Sequence, residues 1–75
     1  MISSELNEKL SSWISCNGVA IMEDRNPYLK AEGLVAYYLR QVGFNEGQVT
    51  GFLNTWNQPA VMLRLREAYK AGMLE

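Results

Sequence analysis

The sequence predicts an all-α domain, a compact bundle or orthogonal array of four short helices. Apolar residues recur at helical spacing in four segments, and the breaks between segments carry residues that stop one helix and start the next. No internal repeat, low-complexity tract or linker separates the segments, so the 75 residues form one domain, 1–75. The helices are placed at roughly residues 3–16, 27–42, 45–57 and 59–71. With such short connections, consecutive helices are expected to be spatial neighbours.

In the first helix Ser3 or Ser4 serves as N-cap, and Glu5 sits at the positive end of the helix dipole. Leu6, Leu10, Trp13 and Ile14 form one apolar stripe. Asn17-Gly18 is read as the left-handed stop, because glycine reaches positive φ without a Cβ clash. The following Val19-Ala20-Ile21-Met22 is too short to classify by periodicity, and helix, strand and loop stay open for residues 19–25.

The second helix opens at Asn26-Pro27, asparagine as N-cap and proline at a position whose N–H has no helical partner. Ala31, Leu34, Val35, Tyr38, Leu39 and Val42 share one face, while Leu29, Gly33, Ala36 and Tyr37 lie opposite. A helix apolar on two sides fits the centre of a bundle, and Gly33 suggests close approach of a neighbour. Gly43 ends this helix. Asn45 with Gln48 has the capping-box pattern, and Phe44 with Val49 the spacing of a hydrophobic staple. Val49, Phe52, Leu53 and Trp56 then mark one buried face, which Asn57-Gln58-Pro59 terminates. The last helix turns Met62, Leu65, Ala68 and Tyr69 inward and stops at Gly72.

Composition bounds the function. A chain this short buries only about 60% of its unfolded surface, so a thin core leaves room for oligomerisation or a partner. One cysteine, Cys16, and no histidine rule out an internal disulfide and provide no ligand set for a metal, and no cofactor is expected. The lone thiol, the lack of a signal-peptide pattern in the first ten residues and the absence of an apolar run of roughly 20 residues favour a cytoplasmic protein without membrane attachment.

No enzymatic activity is expected. Without histidine there is neither a Ser-His nor a Cys-His nucleophile. No cation sits near Cys16 in sequence to lower its pKa, so it reads as a buried or half-buried small side chain. Glu23-Asp24 supplies too few ligands for a divalent cation and reads as a solvated loop. Gly43 to Gly51 has three glycines but neither the phosphate-loop ending nor the dinucleotide spacing.

Two helices joined by a tight turn at residues 57–59 have the layout of a helix-turn-helix, whose reading helix would use Arg64, Arg66 and Lys70. Seven Lys and Arg against eight Asp and Glu give a net charge of −1, a weak source of phosphate attraction, and the first turn of that helix is apolar. Nucleic acid is therefore the alternative partner.

The turn Val42-Gly43-Phe44, followed by a capped helix and Phe52-Leu53, resembles the loop of ubiquitin-associated domains, although the usual Met is absent and about a third of the chain is covered. That resemblance implies a ubiquitin-binding patch made by residues 42–44 and the end of the last helix.

The favoured function is a small non-catalytic regulator, adaptor or inhibitor that binds another protein or itself, a homodimer being the default form of self-association. Two Trp, four Tyr, two Phe and four Met are many large apolar groups for one small core. Tyr37, with Arg40 and Gln41 beside it, lies on the secondary face of the second helix, and Tyr and Arg are typical binding hot spots. Met73 and Leu74, beyond the last helix stop, either fold back on the core or dock on another chain.

Overall fold

The boundaries of the helices fall largely where capping chemistry puts them. The computed structural model describes residues 4–74 and contains five helices among them: α1 (Ser4–Cys16), α2 (Gly18–Met22), α3 (Pro27–Gln41), α4 (Glu46–Thr55) and α5 (Gln58–Lys70), with no strand. The all-α class holds, with one helix more than expected. Ser4 is already helical, and the expected capping by Ser3 lies outside the described residues.

Helix α3 starts as predicted. The Asn26 side-chain oxygen accepts from the Leu29 N–H at 3.2 Å, and Pro27 occupies the first turn. The Asn26 N–H in turn donates to the Asp24 carboxylate at 2.9 Å, so that acid braces the α2–α3 loop. At the other end Gly43 has φ +104° and completes a Schellman motif: Gly43 N–H donates to Arg40 C=O at 3.1 Å, and Phe44 N–H to Leu39 C=O at 3.0 Å. The capping box follows at once. Gln48 N–H donates to Asn45 Oδ1 at 2.8 Å, and Asn45 N–H to Gln48 Oε1 at 2.9 Å.

Helix α4 gives way to α5 through Trp56 and Asn57. Asn57, at φ −81° and ψ 70°, is the centre of an inverse γ-turn closed by Gln58 N–H to Trp56 C=O at 2.8 Å. Gln58 thus joins α5, one residue ahead of the proline that was expected to open it. Gly72, at φ +71°, ends α5 in a second Schellman motif, with bonds from Gly72 N–H to Tyr69 C=O and from Met73 N–H to Ala68 C=O.

The reading of Asn17-Gly18 needs correction. Gly18 is the buried first residue of α2, and its φ is not positive. The chain bends instead at Asn17, φ −101° and ψ 12°, whose side-chain amide donates back to Trp13 C=O at 2.8 Å. Glycine is needed at position 18 for space: a Cβ there would lie 2.8 and 3.0 Å from the Leu74 methyls and 3.3 Å from Leu65 Cδ2.

The core is formed by Leu10 and Ile14 of α1, Ile21 of α2, Ala31, Val35, Ala36 and Leu39 of α3, Val49 of α4, and Met62 and Leu65 of α5. Helix α3 is central, with α1, α2 and α4 packed on it, which is why Ala36 is buried although it lies opposite the main stripe. Helix α5 packs on α2 and crosses the N-terminal end of α3: Gln58 Nε2 donates to Tyr28 C=O at 2.7 Å and Tyr69 Oη to Glu23 at 2.8 Å. The radius of gyration, 12.1 Å, is close to the roughly 11 Å of a compact chain of this length.

Several expected core positions lie outside it. Val42 is 45% exposed because the Schellman turn carries the chain away from the α3 stripe, and Tyr69 is exposed at its hydroxyl bond to Glu23. Cys16 is exposed rather than buried, since the α1 stripe ends at Ile14. Gly33 meets no neighbour within 4 Å, so no helix approaches it closely. Gly33→Ala is therefore expected to stabilise the fold by about 0.5–1 kcal/mol, raising the melting temperature by several degrees in a circular-dichroism melt.

Candidate functional site

The face proposed around Tyr37 is ordered from below. Trp13 of α1 donates its indole N–H to Leu34 C=O at 3.0 Å, fixing the ring on α3. Tyr37 stacks on that ring with centroids 6.1 Å apart and planes at 24°, and Tyr38 lies tilted against it at 5.7 Å. Tyr37 remains 52% exposed, a single rigid ring on the surface. Arg40 is already engaged. Its Nε and Nη2 donate to the two Glu46 carboxylate oxygens at 2.7 and 3.0 Å, a bidentate pair across the α3–α4 turn. The pair holds the Glu46 carboxyl below its usual pKa, first through the hydrogen bond, and raises that of Arg40 for the same reason. A depressed carboxyl pKa contributes stability above the usual carboxylate range and loses it as the pH falls through the folded-state value. At this exposed position the contribution is small. Gln41 is exposed beside the pair.

The two tail residues diverge. Met73 is 76% exposed. Leu74 is half-buried and turns back onto Gly18 and Leu65. The three basic residues of α5, Arg64, Arg66 and Lys70, are exposed, and none has an ion pair among the described residues. The main packing of α5 is on α2 and that of α4 is on α3.

The two halves of the patch implied by the ubiquitin-associated resemblance fall at opposite ends of α3. Residues 42–44 follow its last turn, whereas Tyr69 near the end of α5 is tied to Glu23 before its first. A 15-residue helix separates them by roughly 22 Å.

What the fold does assemble is a groove of about 550 Å³ between α1 and α5. Half-buried Val61 of α5 lines it, and the core side chains Leu10 and Ile14 of α1 and Leu65 of α5, only 4–5% exposed, reach it with little open surface. Asn7, Ser11 and Ser15 edge it on α1, Ala60, Arg64 and Ala68 on α5, and Asn57 in the turn before α5. Trp56 and Leu74 also reach it. Arg64 and Leu74, assigned from sequence to two different surfaces, thus meet in one place. The stripes on α1 and α5 are visible in the sequence, but nothing local shows that these two helices line one groove. No group of three or more Cys, Asp or Glu side chains among the described residues is arranged to hold a metal ion, and no described helix is long and apolar enough to cross a membrane.

The fit of Leu74 can be tested directly. Gly18→Ala is expected to push the Leu74 side chain off α2 and cost about 1 kcal/mol, part of the burial of a leucine. In a Leu74→Ala background the same change is expected to be neutral or stabilising, because alanine is the better helix former. Urea unfolding of the four proteins gives the coupling, and purely additive effects would show that Leu74 does not occupy this position.

Comparison of the chain with models of protein families, with curated proteins and with solved structures finds no match.

Proposed function

We propose that this chain is a non-catalytic interaction module that binds another protein in the α1–α5 groove. The observation that carries this reading is the groove itself, lined by half-buried Trp56, Val61 and Leu74 together with the core side chains Leu10, Ile14 and Leu65. Apolar surface of this kind gains free energy when a partner removes it from water. The Tyr37 face is the weaker candidate, because Arg40 is already satisfied by Glu46 and the exposed aromatic is a single ring. The absence of histidine supports a binding role over a catalytic one. Cytoplasmic placement belongs to the same proposal, since an exposed free thiol such as Cys16 stays reduced there.

A photo-crosslinking amino acid at Ala60, inside the groove, and another at Glu32, on the exposed side of α3, test the reading in native lysate. A defined protein adduct at Ala60, competed by unlabelled chain and absent at Glu32, is the expected result. No adduct, or the same adducts at both positions, would overturn it. Nucleic-acid binding through Arg64, Arg66 and Lys70 is the alternative, distinguished by affinity for duplex DNA that falls steeply with salt.

A further inference from the structure

We infer that the outer face of α3 pairs with the same face of a second copy of this chain, the two α3 helices crossing antiparallel at Gly33. The inference is independent of the α1–α5 groove, to which no α3 residue contributes.

This face is uncovered along the helix. Leu29, Gly33 and Tyr37 recur every four residues and form one surface row. Leu29 is 65% and Tyr37 52% exposed, and nothing in the chain comes within 4 Å of a Cβ placed on Gly33. Lys30, Arg40 and Gln41, on the same side, are exposed as well. The fold itself gives Gly33 no purpose. Its φ is not positive, it meets no neighbour, and inside a helix it costs about 0.5–1 kcal/mol relative to alanine. Its place between two exposed apolar side chains supplies a purpose, a notch into which another helix backbone fits.

The symmetry of the row about that notch selects the occupant. A twofold axis at Gly33 sets position 29 of one copy beside position 37 of the other at both ends of the contact, so one surface supplies both partners. Tyr37 is held by its stack on Trp13 at 6.1 Å and loses little freedom on pairing. Charge agrees with the same pairing. Lys30 has no ion pair among the described residues, and the twofold brings it beside the other copy's Tyr37 ring, whose face attracts a cation. Arg40 is compensated by Glu46 at 2.7 Å and adds no unpaired charge to the contact.

Area sets the strength. A foreign protein bound stably needs about 800 Å² on each side, more than one helix row offers, whereas a transient pair of helices forms on less. The dimer is accordingly weak, with a dissociation constant expected above about 10 µM. Glu32 lies about 100° around the helix from Gly33, outside the row.

The test is sedimentation velocity on the full chain from about 10 µM to about 1 mM, where reversible dimerisation is expected. Leu29→Ser is expected to weaken it at least about fivefold, because each dimer loses two leucines from the contact. Leu63→Ser, at a leucine 53% exposed on α5, is expected to leave it unchanged. Gly33→Ala is expected to act in two directions: the melting temperature of the dilute chain rises, while dimerisation weakens at least about fivefold as two methyl groups enter the crossing. Direction is read with a nitroxide on Gln41→Cys in a Cys16→Ser chain, mixed with isotope-labelled native chain. The antiparallel pair is expected to broaden the amide signals of residues 25–29.

A chain still monomeric at about 1 mM, or dimerisation indifferent to Gly33→Ala, would overturn the inference. So would equal effects of Leu29→Ser and Leu63→Ser, which would mark non-specific association, or broadening centred on residues 38–42, which would mark a parallel pair. Crosslinking at Ala60 bears on the groove alone, so either reading falls without the other.

Discussion

Ile21→Ala is expected to lower the unfolding free energy by about 2–5 kcal/mol, the range for truncating a buried aliphatic residue. A domain of 75 residues has about 4–11 kcal/mol in total, so the variant is expected to be partly unfolded near physiological temperature. Ile21 is 0% exposed, and it lies in a five-residue helix far below the length at which a helix persists by itself. Helix α2 therefore exists because its side chains are packed. It also supports α5, which rests on it, and through Gly18 it receives Leu74. The loss is expected to reach beyond one cavity, loosening α5 and the groove wall it forms. Urea unfolding followed by far-UV circular dichroism gives the free energy, and hydrogen exchange shows whether α5 amides lose protection before those of α3. A loss below about 1 kcal/mol would show that α2 is peripheral, because surface substitutions fall in that range.

The same residue explains what could and could not be read from the chain. Capping is local chemistry, and the Asn26-Pro27 start, the Gly43 stop and the Asn45-Gln48 box are where the residue types place them. Helix α2 is held by contacts with residues more than 40 positions away, including Leu65 and Leu74, and four apolar residues in a row carry no period. Asn-Gly has the composition of a helix stop, yet Gly18 answers to the packing of Leu74, which a local pattern does not contain. Gly33 shows the opposite error: its lack of a side chain suggested a close neighbour where there is open space. The groove was hidden for the same reason as α2. Leu10 and Leu65 face inward as expected, but that their helices would line one groove, and that Arg64 would stand at it, depends on how α2 and α3 place them.

Gly43→Ala is expected to cost about 1–3 kcal/mol, opposite in sign to Gly33→Ala. Both positions have open space around a hypothetical Cβ, so sterics with neighbours do not distinguish them. The backbone does. Gly33 lies within α3, where alanine is favoured, whereas Gly43 has φ +104°, a region where an L side chain clashes with its own backbone. Relaxing that strain would break the bonds from Gly43 N–H to Arg40 C=O and from Phe44 N–H to Leu39 C=O. Those bonds aim the chain into the Asn45 cap, bring Glu46 to Arg40, and direct α4 back along α3 toward Trp56 at the groove. A chemically synthesised chain with D-alanine at position 43 separates strain from lost contacts, because a D residue favours positive φ. Its stability is expected to equal or exceed that of the glycine protein, since the methyl also restricts the unfolded chain. If D-alanine destabilised as much as L-alanine, the cost would lie in the space around the turn, and the role assigned to the left-handed backbone at Gly43 would be wrong.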